Sequence, residues 1–432
     1  MGLLQQVRGP YAKGRAIVTQ SSGRRVVVLR VVFRRMREQE SDVMKTLKDI
    51  GDEISGKRVL MRVDFNVPLD KQTGKITNDM RIRQTLPTIR YAVERGARAI
   101  LMSHLGRPDG KAVPELSMKS VAKRLSELLG KPVKFAPDCV GPSVEAMVGQ
   151  MSDGEVLLLE NVRFHAEEEE NDREFARKLA ELGDFYVNDA FGTAHRAHAS
   201  TEGVARLLPS AAGMLMEKEV HYLSKAIKDP EHPFVAVMGG AKVSDKIGVI
   251  RTLLQQADLL LVGGAMAYTF LKYQGKGVGN SKVEDDKLEV AGALLREAGK
   301  KILLPIDHVC ADRIAQDATI TTADGDVPQG VIGLDIGPKT AALYESKIAD
   351  AKLVVWNGPM GYFELDAFSE GTKRIARAMA SCKGITIVGG GETAEAVEKL
   401  GLQDRMSHVS TGGGAALEFL AGKQLPGIAV LQ

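Results

Sequence analysis

From Ser55 onward the chain repeats one phrase: a short run rich in β-branched residues and leucine, a polar or glycine turn, then a stretch in helical period. The runs are KRVLMRV (57–63), RAILMS (98–103), EVLLL (155–159), DFYVN (184–188), FVAVM (234–238), DLLLV (258–262), KILLP (301–305), KLVVW (352–356), ITIV (385–388) and SHVS (407–410). Such alternation predicts parallel strands joined by crossover helices. The rhythm breaks after the fourth run, in GMLMEKEVHYLSKAIKDPEHP. There Met216, Val220, Leu223 and Ile227 make one apolar helical stripe, which Asp229, Pro230 and Pro233 stop. This segment reads as a connecting helix between two doubly wound halves; a further crossover helix inside a single sheet is the alternative. The expected architecture is α/β: two doubly wound parallel-sheet, Rossmann-like domains (44–213 and 234–419) joined by a connecting helix and hinge (214–233).

In open parallel sheets ligands sit beyond the carboxyl ends of the strands. In the first half those ends carry RVDFNVP (Arg62, Asp64, Asn66), SHLGRPDG (His104, Arg107), ENVRFH (Asn161, Arg163) and NDAFGTAHRAH (Asp189, His195, Arg196, His198). With Arg81 in NDMRIRQTLP, at least four arginines are placed to converge on one cleft. The second half offers glycine turns instead: GGAKVSDK (239–246), GGAMAYTFL (263–271), NGPMGYFE (357–364), GGGETA (389–394) and TGGGAALEF (411–419). Glycine lets backbone approach a ligand closely, and the helix that follows presents unpaired N–H groups to phosphate oxygens. One such turn commonly serves only a tight bend; their recurrence is the signal.

Other nucleotide motifs do not fit. GDEISGKR (51–58) has P-loop spacing, but Arg58 stands where Ser or Thr is required and the segment precedes a strand. No GxGxxG opens a helix after the first strand, which disfavours a nicotinamide dehydrogenase. His195 and His198 lack an evident third ligand, so Arg196 is read as the working group and the histidines as its neighbours. His104, beside Arg107, is the better candidate for substrate contact.

Composition adds limits. At 432 residues the chain suggests two domains, and 44% hydrophobic with 26% charged residues suits a globular α/β enzyme. Residues 1–43 hold eight Arg and one Lys against Glu38, Glu40 and Asp42, formally +6; subtracted from the total of +3, this leaves −3 on the body. No nucleic-acid partner is therefore expected, and any anion site must come from local placement. Cys139, Cys310 and Cys382 lie far apart, which suits a reducing, cytoplasmic setting and no structural zinc. The apolar run Val26 to Phe33 is too short to span a bilayer. Residues 1–43 read as a disordered or non-native extension, a transit peptide being the weaker alternative, and Met44 as an alternative start. An arginine-lined half facing a glycine-turn half is the plan of a kinase acting on a small, multiply charged anion.

RVDFNVP, SHLGRPDG, ENVRFH, NDAFGTAHRAH, GGAKVSDKI, WNGPMGYFE, GGGETA and STGGGAALEFL resemble, in order, the motifs of the phosphoglycerate kinases, and the likeness runs from about Met44 to Gln432. The resemblance implies reversible transfer of a phosphoryl group from 1,3-bisphosphoglycerate to ADP, giving 3-phosphoglycerate and ATP, with Mg2+ bound with the nucleotide, in a monomer. By motif, Asp64, Asn66, Arg81, His104, Arg107, Arg163 and Arg196 would hold the glycerate. Gly240, Ala241, Asn357, Gly358, Gly390 and Gly391 would bind the nucleotide; Lys242 and Lys246 would reach its phosphates, with Thr393 beside them; Gly263 and Gly264 would border adenine, and Glu364 would bind ribose. Glu392 would meet the metal, which is held mostly through the phosphates. Arg81, Lys242 and Lys246 would be catalytic. Residues 420–432 would return to the first domain. Glu392 stands where the family usually has Asp, and Ala265 where a third glycine is commoner, a change that matters if that position needs positive φ. Two rivals are a kinase of another small carboxylate and a binding module working through the basic extension.

Overall fold

The structure is a computed structural model describing residues 44–70 and 72–432, together with two short paired backbone strands, Thr19–Ser21 and Arg24–Val26. Beyond that hairpin, the expectations for residues 1–43 lie outside the described residues.

All ten apolar runs are strands, in two separate six-stranded parallel sheets. The first comprises β1 (Arg58–Arg62), β2 (Arg98–Met102), β3 (Val133–Phe135), β4 (Val156–Leu158), β5 (Phe185–Asn188) and β6 (Ser210–Ala212), ordered β3-β4-β2-β1-β5-β6. The second comprises β7 (Phe234–Met238), β8 (Leu259–Val262), β9 (Ile302–Leu303), then β13 (Leu353–Asn357), β14 (Ile385–Gly389) and β15 (His408–Val409), ordered β9-β8-β7-β13-β14-β15. Every residue of β7 and β13 is buried, as expected of strands with both faces covered. In each sheet the connections diverge from a central strand pair, β1/β5 in the first and β7/β13 in the second. Such switch points open a crevice beyond the strand ends.

The second half is not wholly parallel as expected. Between β9 and β13, strands β10 (Asp307–Ala311), β11 (Ile320–Asp324) and β12 (Ile332–Ile336) form an antiparallel sheet ordered β11-β10-β12. Four of the five residues of β11 are exposed, so no apolar run marks it. Likewise β3 (VKF) and β6 (SAA) are short edge strands with no run to read.

The connecting helix spans Met214–Ile227, but its face is turned from the stripe drawn through Met216, Val220, Leu223 and Ile227. The buried positions are Leu215, Met216, Glu219, Leu223 and Ala226. Glu219 explains the shift: its enclosed carboxylate accepts from Thr411 N (2.8 Å) and Thr411 Oγ1 (3.0 Å) and lies 2.8 Å from His408 Nε2. A carboxylate satisfied in this way can occupy a core face, and it ties the helix to the loop after β15. Among the described residues no helix is long and apolar enough to cross a membrane.

Candidate functional site

The loops after β1, β2, β4 and β5 meet around a cavity of about 300 Å³. Asp64, Asn66, Arg81, His104, Arg107, Arg163 and Arg196 all line it. The loops brace one another through short polar contacts. Phe65 N donates to Ser103 Oγ (2.9 Å), Gly106 N to Asn66 Oδ1 (2.9 Å) and Asn161 Nδ2 to the Leu105 carbonyl (2.8 Å). Arg163, on the single turn Val162–Phe164, is buried; its Nη1 donates to the Gly106 carbonyl (3.1 Å) and its Nε lies 3.3 Å from Glu169. Arg81 opens the helix Met80–Glu94 and donates through Nη1 to Asp64. Arg107 is exposed and, among the described residues, makes no hydrogen bond or ion pair.

His104 is buried, and its Nδ1 lies 3.0 Å from Arg62 Nη2. A guanidinium only donates, so Nδ1 accepts and the imidazole carries its proton on Nε2. Burial, reinforced by Arg62, Arg163 and Arg81, holds its pKa well below the usual histidine value, so it is a neutral donor. Beneath it, the fully enclosed Arg62 donates Nε to Ser200 Oγ (2.8 Å). Ser200 in turn donates N (2.8 Å) and Oγ (2.6 Å) to the buried carboxylate of Glu168. Burial opposes the charge on Glu168, yet His198, Arg62 and Ser200 outweigh it and its pKa falls. Ser200 and Glu168 carry no motif signal, and nothing in the sequence distinguishes them from surface residues.

His195 lines the cavity as well, and sequence reasoning assigned it no contact. Arg196 Nε donates to its Nε2 (3.2 Å), so the ring proton sits on Nδ1. Burial and then the Arg196 charge keep the ring neutral. It orients Arg196, while His198 turns toward Glu168 (3.7 Å); the two histidines do not share a ligand point.

The turn TGGGA was placed with the nucleotide turns, but Gly412, Gly413 and Gly414 close the arginine cavity. A side chain at Gly412 would overlap the Phe191 ring, so the turn packs directly on the β5 loop. The C-terminal segment follows: Gly427 N donates to the Ala194 carbonyl (2.9 Å) and Asn188 Nδ2 to the Gly427 carbonyl (3.2 Å).

The remaining glycine turns cluster beyond β7, β8, β13 and β14. Gly240 N donates to the Pro359 carbonyl (2.9 Å), Gly264 N to the Met360 carbonyl (2.8 Å) and Gly358 N to Thr393 Oγ1 (2.7 Å). Gly358 (φ 94°) and Gly264 (φ 65°) adopt conformations that disfavour side chains. Ala265 does not: its φ is −63°, so the missing third glycine costs nothing there. Lys246 is buried, and its ammonium donates to both the carbonyl and Oδ1 of Asn357. Among the described residues one of its three protons is left without an acceptor. Burial lowers its pKa to about 8, against the opposing pull of Glu392 and Asp245. Asn357 Nδ2 is a buried donor with no partner among the described residues, facing Gly390. An oxygen-rich anion would satisfy both donors. Gly263 packs on Met360, and Gly391 opens the helix Gly391–Lys399 with open space beside it. Ala241, Lys242, Glu364 and Glu392 are exposed, and among the described residues the side chains of Lys242, Glu364 and Glu392 make no hydrogen bond or ion pair.

The sequence model of the family described as phosphoglycerate kinase matches residues 47–423. A phosphoglycerate kinase of Thermosipho africanus is 58% identical over 393 residues, 89% of this chain and 96% of that protein. One of Moorella thermoacetica is 57% identical over 390 residues, covering 89% and 98%. The solved structure of phosphoglycerate kinase from Coxiella burnetii superposes with a TM-score of 0.81 at 44% identity, covering 90% of this chain and 99% of that one.

Proposed function

The chain belongs to the phosphoglycerate kinase family and carries its activity, and on that premise we propose how its two site halves divide the work. The arginine cavity binds 3-phosphoglycerate or 1,3-bisphosphoglycerate, and the glycine-turn cluster binds ADP or ATP. The observation that carries this reading is the contrast in donors: four guanidiniums around one cavity, against backbone turns, Lys246 and an unpaired Asn357 amide at the other.

The chemistry asks little of a base. The acceptor in the ATP-consuming direction is a carboxylate, with pKa near 3.5 for such acids and therefore ionised at neutral pH. What it needs is in-line placement and compensation of charge on the moving phosphoryl oxygens. Asp64 holds Arg81 toward the cavity; neutral His104 offers Nε2–H, while Asn66, Arg107, Arg163 and Arg196 fix the acid. Lys246 meets the phosphates with its spare proton, the exposed Lys242 assists, and the amides of the Gly391 helix receive phosphate oxygens. Gly263 and Gly264 border the base and Glu364 takes the ribose. Mg2+ bound with the nucleotide would supply further charge neutralisation, and Glu392, a lone carboxylate on the first helical turn, fits an ion held mainly by phosphates. The extra methylene relative to Asp lengthens that reach. The hinge at 214–233 brings the two sites together and excludes water. A monomer is what the family resemblance implies, and the three free cysteines suit a reducing, cytoplasmic setting.

Two outcomes test this. Because Lys246 must be protonated, kcat/KM for nucleotide should fall with unit slope above pH about 8. The kcat profile should break at higher pH, since bound phosphate favours the ammonium. Lys246→Met should abolish the limb, and a limb unchanged in that variant would remove Lys246 from the chemistry. A chain starting at Met44 should turn over 3-phosphoglycerate and ATP within about twofold of the full chain in a coupled assay, since every assigned residue lies at or beyond Asp64. A large loss would mean that the basic extension takes part.

A further inference from the structure

We propose that Asn78 and Glu398 form a strut between the two lobes that sets where Arg81 stands relative to the nucleotide helix. The proposal rests on the division of labour above. Asn78 Nδ2 donates to Glu398 Oε2 at 2.7 Å, across 320 residues of sequence. The same side chain accepts at Oδ1 from Met80 N (2.8 Å), capping the turn that carries Arg81. Glu398 lies in the last turn of the helix Gly391–Lys399, whose first turn carries Glu392 and Thr393. One amide therefore bridges the start of the arginine's helix and the end of the nucleotide helix.

The surroundings make the pairing selective. It borders a cleft of about 770 Å³ whose lining comes from the first lobe except for Glu398. The nearby guanidiniums are already committed: Arg83 Nε (2.7 Å) and Arg124 Nη2 (2.7 Å) both donate to Asp79, and Arg124 Nη1 (2.7 Å) donates to Glu127. Lys75 and Lys123 also line the cleft, yet the hydrogen bond that Glu398 makes among the described residues comes from this neutral, directional donor. A hydrogen bond of this kind weakens steeply with distance and angle, so it selects one lobe separation where a long-range ion pair would tolerate many. Neither residue belongs to the arginine cavity or the glycine cluster. Its loss should therefore appear in turnover, with substrate affinity retained. Asn78 and Glu398 are positioning residues.

Steady-state kinetics with ATP and 3-phosphoglycerate on four variants test the strut. Asn78→Ala should lower kcat about tenfold while both KM values stay within about twofold. Asn78→Asp, which sets two carboxylates against each other and still caps Met80, should lose at least as much. Glu398→Gln should be close to wild type, because the amide oxygen still accepts. Combining Asn78→Asp with Glu398→Gln reverses donor and acceptor and should restore turnover. A kcat for Asn78→Ala within about twofold of wild type, or a double variant no faster than Asn78→Asp alone, would overturn the strut. Wild-type turnover in the same assay checks the underlying activity separately.

Discussion

Arg81→Ala is expected to lower turnover by about a hundredfold or more, corresponding to about 3 kcal/mol of lost transition-state stabilisation. Arg81 stands in the first turn of Met80–Glu94 and is held by Asp64, whose carboxylate also receives Asn66 N (3.2 Å). Its guanidinium is therefore oriented before substrate arrives, the condition under which a fixed charge acts on the transition state without reorganisation. If it acts there, kcat and kcat/KM should fall together; a rise in KM alone would mark it as a ground-state contact. Folding should change little, because Asp64 keeps its backbone donor. Stopped-flow or coupled kinetics with a parallel thermal melt would decide, and unchanged turnover would take Arg81 out of the mechanism.

The second large effect lies in the glycine cluster. Gly358→Ala should destabilise the protein by about 1–3 kcal/mol and weaken nucleotide binding, because its φ of 94° is strained for any side chain. The added methyl would also overlap the Gly239 carbonyl and stand 2.5 Å from Lys246 Nζ. It would push on the cation assigned to the phosphates. Gly149→Ala, outside both site halves, is the matched control, since a methyl there meets nothing within 4 Å and its φ lies outside the left-handed range. Calorimetric titration with ADP and a thermal melt should separate the two variants. Equal behaviour would mean that the cluster tolerates crowding and does not cradle a ligand.

Strands buried on both faces were legible because they read as continuous apolar runs; β7, and β13 as far as Trp356, are the clearest cases. What could not be read were elements whose stability comes from neighbours. The exposed strand β11 is held by its ladder to β10, and the face of the connecting helix is set by Glu219, whose partners lie about 190 residues away. The cavity's arginine lining followed from charge at strand ends, since Arg107 and Arg163 sit on the turns after β2 and β4. Its supports did not. Arg62 and Glu168 reach His104 and Ser200 through the interior, and His195 gains its role only once Arg196 is placed beside it. The Gly412 turn misled because glycines before a helix look alike; its partner, Phe191, belongs to the other lobe.

The most direct measurement is a crystal structure of this chain with 3-phosphoglycerate and a non-hydrolysable ATP analogue bound together. The acid should be found among Arg81, Arg107, Arg163 and Arg196, with the triphosphate beside Lys246, Asn357 and the Gly391 helix. An acid seated on the glycine turns, or a triphosphate among the arginines, would contradict the division of labour between the two halves.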